Sequence, residues 1–289
     1  WTRDTTPPTL SVVTAIATPS NTTTPTFVFS SDKVGTITST LIFSDSTSAS
    51  VGPNTITFNA LGDAMRTEET VTVTDAFGNV SAPLTIPDFV IDTVKPDISI
   101  ASSTSGVTNG SLTNDTTIAL TFTSTKSTGN LEVDDITVTN GQLSSFTGSG
   151  TSYTATLDPV EDGQCTINIS AGAYTDAVGN NNTVAPQFVW NRDTGQPSMT
   201  ITSTEVTDGS ISNDETLSLT FTSTEATINF AIGDITVDNG VISSFNTISS
   251  TVYTATFTPT TQGACTIDVV GGAYTDAAQN LNNVAAQFN

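Results

Sequence analysis

The chain contains no histidine, and only two cysteines, two methionines and two tryptophans among its 289 residues. Without histidine the common catalytic triads and proton relays are missing, and neither cysteine has an imidazole base to activate it. Positive charge is equally scarce. Lys33, Lys95, Lys126, Arg3, Arg66 and Arg192 face 28 acidic side chains, for a formal net charge of −22. A polyanion would be repelled, which argues against nucleic acid as a partner. No run approaches the roughly 20 apolar residues that cross a bilayer as a helix, so no membrane insertion is expected of this segment. Helical stretches are lacking too. Threonine makes up about a fifth of the chain, and glycine and proline mark turns throughout, a composition suited to strands and tight turns. So acidic a surface is soluble and self-repelling, and takes up divalent cations through oxygen ligands; adaptation of a secreted protein to a salty medium accounts for the charge equally well.

What is present repeats. Thr74-Asp-Ala-Phe-Gly-Asn79, Thr175-Asp-Ala-Val-Gly-Asn180 and Thr275-Asp-Ala-Ala-Gln-Asn280 share one pattern, and Trp1-Thr-Arg-Asp4, Phe89-Val-Ile-Asp92 and Trp190-Asn-Arg-Asp193 share a second, in step with the first. Two markers in one order, three times over, define a tandem array with expected units 1–91, 92–192 and 193–289. About 100 residues is the usual size of a β-sandwich. The final Gln287-Phe-Asn289 parallels Gln187-Phe-Val189, which continues into Trp190, and Trp1 is the residue the pattern would place next, as expected of a segment cut in register from a longer array.

In the first unit Pro25-Thr-Phe-Val-Phe-Ser30, Gly35-Thr-Ile-Thr, Asn54-Thr-Ile-Thr-Phe and Glu69-Thr-Val-Thr-Val-Thr74 alternate apolar residues with Thr or Ser, the period of half-buried strands. The later units resemble each other more closely. Thr116-Thr-Ile-Ala-Leu-Thr-Phe-Thr-Ser-Thr125 parallels Glu215-Thr-Leu-Ser-Leu-Thr-Phe-Thr-Ser-Thr224, and Cys165-Thr-Ile-Asn-Ile169 parallels Cys265-Thr-Ile-Asp-Val269. Seven strands are expected in the second unit, near 98, 118–122, 136–138, 143–146, 153–157, 165–169 and 184–190, the immunoglobulin-like count. Pro25-Thr-Phe, Gly35-Thr-Ile-Thr, Asn54-Thr-Ile-Thr-Phe and Thr72-Val-Thr-Asp-Ala-Phe-Gly-Asn-Val-Ser81 resemble the bacterial Ig-like repeats of large extracellular adhesin and stalk proteins. The resemblance covers the whole chain. It implies an all-β tandem array of three immunoglobulin-like Greek-key sandwiches, outside the cell, either on its surface or in a secreted filament. Some repeats of this type carry a cysteine pair that the first unit lacks.

Alternating strand direction puts the entering linker and the loop before the last strand at the same end of such a sandwich. Asp4 is therefore expected near Asp75, Asp92 near Asp176, and Asp193 near Asp276, with Asn79, Asn180 and Asn280 beside them. Carboxylates with Asn side chains and turn carbonyls offer the six to eight hard oxygens that Ca²⁺ takes, and related adhesin repeats that hold Ca²⁺ at their junctions point the same way. Asp-x-x-Gly-Asn is also good turn chemistry in its own right. Gln279, where the other loops have Gly, weakens the case at Asp276. The turns at Asn114-Asp115 and Glu161-Asp162 are expected to reach the Asp193 junction.

Cys165 and Cys265 are equivalent points of neighbouring sandwiches, roughly 30–40 Å apart for strands of about 8–10 residues at ~3.3 Å each plus loops, too far for a disulfide. Both are expected as small buried hydrophobes, the alternative being pairing with another chain in an assembled fibre. Trp1, Phe89 and Trp190 are expected at the joints, limiting bending. Asn21, Asn79, Asn109, Asn114, Asn168 and Asn181 fit the glycosylation pattern, as chance provides in a chain this rich in Asn and Thr. Abundant carboxylates alone do not make a glycosidase, and an active site rarely needs three copies of its scaffold. The sequence therefore reads as a non-enzymatic, rod-like spacer whose partners are neighbouring repeats. Two alternatives remain: a subunit of a helical filament built from copies of itself, and a module that binds a host or surface glycan or protein directly.

Overall fold

The computed structural model describes residues 3–289. Its buried side chains fall into three separate clusters, within residues 16–91, 98–190 and 199–288. In the second, two sheets face each other. One has the order Ile98–Ser102, Ile118–Thr128, Gly141–Pro159; the other has the order Leu112–Thr113, Phe188–Arg192, Gly163–Ile169, Ile136–Thr139. Pairing is antiparallel except between Leu112–Thr113 and Asn191–Arg192. Alternation builds the core: Ile118, Leu120 and Phe122 point inward from one sheet, Cys165, Ile167 and Ile169 from the other, while the threonines between them face outward.

The third cluster repeats this plan. Met199–Ser203, Leu217–Ser223, Val252–Pro259 and Gly240–Thr247 form one sheet, and Ile235–Asp238 pairs with Thr266–Val269 in the other, which Phe288 joins by a bridge to Ile267. In the first, Leu10–Thr14, Thr26–Ser31 and Gly52–Thr57 oppose Ser48–Ala49, Gly35–Ser39, Thr70–Thr74 and Leu84–Thr85, with Ala64–Arg66 and Phe89–Ile91 as a further pair.

Strand by strand, the second unit differs from the sequence pattern in three ways, the first being that the strand expected at 184–190 forms only at Phe188–Arg192. Residues 143–146 and 153–157 are arms of one run, Gly141–Pro159, which doubles back: Gly141 abuts Leu157 and Asp158, and Ser144 Oγ donates to Asp158. The short Leu112–Thr113 was not anticipated, because two residues carry no periodicity.

Trp190 is not at the joint. It is fully buried in the second core, and its indole Nε1–H donates to Thr113 Oγ1 at 3.0 Å. The reason is period two: Phe188 and Trp190 share the inward face of their strand, and the register sets Trp190 opposite Cys165. Phe89 is likewise core, packed with the first cluster, and Trp1 lies outside the described residues. Both cysteines are free thiols; Cys165 is buried, but Cys265 is only half-buried. The tyrosines Tyr153, Tyr174, Tyr253 and Tyr274 are all core residues.

Candidate cation clamp at the head of each repeat

The repeated hexapeptide folds as a tight turn closed at its ends. Asp176 N–H donates to Asn180 O at 3.0 Å and Gly179 N–H donates back to Asp176 O at 3.1 Å. The turn needs a left-handed residue at its fifth position: Gly78 has φ 82° and Gly179 φ 95°, and Gln279 takes the same conformation with φ 73°. Replacing Gly by Gln therefore leaves the loop intact, at the cost of the backbone strain that a side chain brings there.

The turn exists to hold a carboxylate. Asp176 Oδ1 accepts the N–H groups of Val178 and Asn180, and Oδ2 accepts the Asn180 amide Nδ2 at 3.0 Å. The same Nδ2 donates to the main-chain oxygen of Asp92 at 3.0 Å, tying the turn to the entering linker. Asp75 and Asn79 repeat this toward Asp4, and Asp276 and Asn280 repeat it toward Asp193. The expected pairs are thus brought together in every repeat. The asparagines enter as donors through nitrogen and so tie the turn to the linker.

The cation between the carboxylates is a lysine in two repeats. Lys126, carried by Ile118–Thr128, places Nζ 2.6 Å from Asp92 Oδ1 and 3.1 Å from Asp176 Oδ2, and it also donates to Val94 O. Lys33 Nζ lies 3.0 Å from Asp4 Oδ2 and 3.4 Å from Asp75 Oδ2. For Asp75, the Asn79 side-chain bond leads, burial opposes it, and the N–H groups and Lys33 add to it, holding the carboxyl at about 2. At Asp176 burial is the largest influence and would raise the value, but the Asn180 bonds and Lys126 outweigh it, again leaving about 2. Lys33 is raised above its ordinary value, chiefly by its bond to Asp4.

In the third repeat the position of Lys126 holds Glu225. Asp193, Glu225 and Asp276 bring carboxylate oxygens within 4.8 Å of one another, with Asp276 buried. Burial, then Asp193 and Asp276, push Glu225 above the usual carboxylate range. Nearby, the Tyr274 hydroxyl is buried without a hydrogen-bond partner, whereas that of Tyr174 meets Ser124 Oγ at 3.2 Å. Three negative groups thus converge where the sister repeats hold an ammonium. Gln279, which the sequence set against a site at Asp276, leaves this convergence of carboxyl groups in place. Lys33, Lys126 and Glu225 were missed there, although the signal was at hand: the parallel between 116–125 and 215–224 stops one residue short of the Lys126/Glu225 exchange.

The preceding repeat holds the linker from the other side. Asp63 Oδ1 accepts Thr93 N–H at 2.9 Å and its hydroxyl at 2.7 Å. Asp162 Oδ2 accepts the same two groups of Thr194 at 3.1 and 2.8 Å, and pairs with Arg192 at 3.1 Å. Asp162 therefore reaches the junction. Asp115 instead accepts the Thr113 hydroxyl at 2.7 Å.

The bacterial Ig-like domain family matches residues 92–189 and again 193–289, more than half of the chain. Among curated proteins none matches. Similar solved structures include invasin, described as a bacterial integrin-binding protein (16% identity, TM-score 0.35, covering 90% of this chain and 56% of that one). The D00-D0 domain of intimin (12%, 0.31, covering 63% and 98%) and InvD of Yersinia pseudotuberculosis (14%, 0.33, covering 98% and 91%) are further examples. The chain thus spans little more than half the length of the invasin structure.

Proposed function

This chain belongs to the bacterial Ig-like domain family, and we propose that it serves as a non-enzymatic, extracellular spacer of three sandwiches, divided at residues 91/92 and 192/193, within a surface adhesin or stalk. The observation that carries this reading is the two-sided grip on each linker. Asp63 and Asp162 hold Thr93 and Thr194 from behind, and Asn180 and Asn280 hold Asp92 and Asp193 from ahead. Fixing a short linker at both ends removes its freedom to bend, which is what a spacer needs and what a flexible tether lacks. Repetition of one Asp–Asn clamp on the linker at the head of every repeat favours mechanics over catalysis.

Ca²⁺ has a place in this reading at the third repeat, where Asp193, Glu225 and Asp276 have no ammonium between them. Support comes from the sister repeats, in which the matching aspartates already hold a cation. Three carboxylates supply part of the six to eight oxygens that Ca²⁺ takes, with main-chain oxygens and water for the rest. At the first two heads Lys33 and Lys126 offset half of the pair's charge and compete with any metal.

Small-angle X-ray scattering tests the spacer. Three sandwiches end to end give a maximum dimension of roughly 90–120 Å, from strands of about 8–10 residues plus loops. A compact particle, or a profile fitted only by a broad ensemble, would overturn the reading.

A further inference from the structure

Beside its carboxylate cluster the third repeat lays three short segments next to one another. Ile228 N–H donates to Thr275 O at 3.1 Å, Thr227 pairs with Asp276, and Thr275 pairs with Leu281. Opposed residues of antiparallel segments share a face, and the faces alternate: Thr227, Asp276 and Asn280 are buried, whereas Ile228, Thr275 and Leu281 look outward. Ile228 is 57% exposed and Leu281 53%. They stand about 10 Å apart on either side of Thr275, at about 5 Å per step across the segments. A hairpin bonds the opposite edge, where Thr227 N–H donates to Ser250 O at 2.8 Å, and it adds Ile248, 60% exposed. Three aliphatic side chains thus line one flank of the repeat.

The second repeat shows that the fold does not need them. Gly129, Thr175 and Asn181 hold the places of Ile228, Thr275 and Leu281 there. Thr175 again pairs with Asn181, and its N–H again meets an asparagine, Asn130 Oδ1 at 3.1 Å, as Thr275 N–H meets Asn229 Oδ1 at 2.8 Å. The same bonds hold both backbones, so glycine and asparagine serve the scaffold as well as isoleucine and leucine do. The turn after Ile228 changes in the same direction: Ala231 and Gly233 replace Glu132 and Asp134, while the aspartate that closes the turn is kept, as Asp135 and Asp234. Clustered aliphatic side chains that the core does not use are costly in water, and covering them is favourable.

Charge says what covers them. From Asp193 onward the chain has ten acidic residues and no lysine or arginine. Asp276, next to Thr275, belongs to the cluster that gathers three carboxyl groups where the sister repeats place a lysine. A second copy or an anionic lipid surface is repelled by such a charge, and a basic surface is drawn to it. We propose that the flank bearing Ile228, Ile248 and Leu281 docks a polypeptide that presents an aliphatic side chain between lysines or arginines, with apolar contact at the centre and ion pairs at the rim. The proposal goes beyond the spacer reading and does not rest on it.

The test is fluorescence anisotropy of the labelled peptide Lys-Leu-Lys-Val-Lys-Leu-Lys titrated with the 289-residue chain. Ile228→Gly together with Leu281→Asn installs the residues of the second repeat, and is expected to weaken binding at least about tenfold. The peptide with Ser for Leu and Val should bind parent and variant alike, and weakly. Calorimetry checks that the third transition survives; should it be lost, Ile248→Ser on the hairpin takes the place of the double variant, with an expected loss of at least about threefold. Equal affinity of the Leu-containing peptide for parent and variant, or no binding to the parent, overturns the proposal. So does self-association in sedimentation, or flotation with phosphatidylcholine vesicles, that the variant abolishes, because the flank would then belong to a second copy or to a membrane. Scattering of the free chain reads the spacer separately, so either reading can fail without the other.

Discussion

Lys126 Nζ lies 3.1 Å from Asp176 Oδ2, whose side chain is only 3% exposed, and the same ammonium bridges to Asp92 on the entering linker. One cation thus fastens a loop of the second sandwich to the segment that leads into it. Glu225 in the corresponding place of the third sandwich reverses the sign of that contact. The two arrangements respond differently to metal and to acid.

Calcium should act on the third repeat alone. An ion that binds only the folded state raises stability by mass action, about 2.7 kcal/mol at a concentration 100 times its Kd. Millimolar Ca²⁺ is therefore expected to raise the melting transition of the third repeat, and chelation to lower it, with the other transitions unmoved. Glu225→Lys should reproduce the sister clamp, melt higher without Ca²⁺, and no longer respond to it. Scanning calorimetry reads all three results. Identical transitions of the parent in Ca²⁺ and in chelator would remove the metal from the third repeat.

Acid should separate the repeats as well. Asp75 and Asp176 titrate at about 2 in the folded chain, below their ordinary 3.8. What they contribute is complete above about pH 4 and is lost as pH falls through about 2. Glu225 is shifted the other way, so its folded form favours the proton. It weakens the third repeat as pH rises through its raised value and ceases to do so below its unfolded one. In the absence of divalent ions, acidification from neutrality to about pH 4.5 should raise the third transition and leave the others in place, and further acidification toward pH 2 should lower the first two. Glu225→Gln should abolish the gain. A third transition that falls steadily from neutral pH would contradict the convergence of Glu225 with Asp193 and Asp276.

Much of this was legible in the chain itself. The period-two runs and the two markers in step were enough to identify stacked all-β repeats. They also brought Asp4, Asp92 and Asp193 to the loops bearing Asp75, Asp176 and Asp276, because strand direction alone fixes which end a loop occupies. What the sequence hid depends on side-chain direction. Trp190 looked like a joint residue from its place beside the boundary, but alternation with Phe188 turns it into the core. Lys126 lies 50 residues from Asp176 and 34 from Asp92, and only a folded sheet shows that these three meet. The nitrogen-first orientation of Asn180 is equally invisible until its two acceptors are in place.

Trp190→Ala should consequently unfold or weaken the second sandwich. Truncating a buried Trp costs about 3–5 kcal/mol, and the Thr113 hydroxyl loses its donor. Calorimetry should show the second transition lowered or lost, with the first and third retained. A variant whose second transition is unchanged, but whose interdomain angle is looser, would return Trp190 to the joint.

The grip on the linker is tested most directly by distance measurement across the first joint. With Cys165 and Cys265 replaced by Ala, spin labels at Thr55→Cys and Thr137→Cys sit at exposed strand positions of the first and second sandwiches. Double electron–electron resonance then reads both the separation and its spread. A distribution little wider than the labels' own motion is expected, broadening clearly when Asp63→Ala and Asn180→Ala release Thr93 and the Asp92 carbonyl together, while both sandwiches stay folded. A parent distribution already as broad as that of the double variant would contradict a clamped joint.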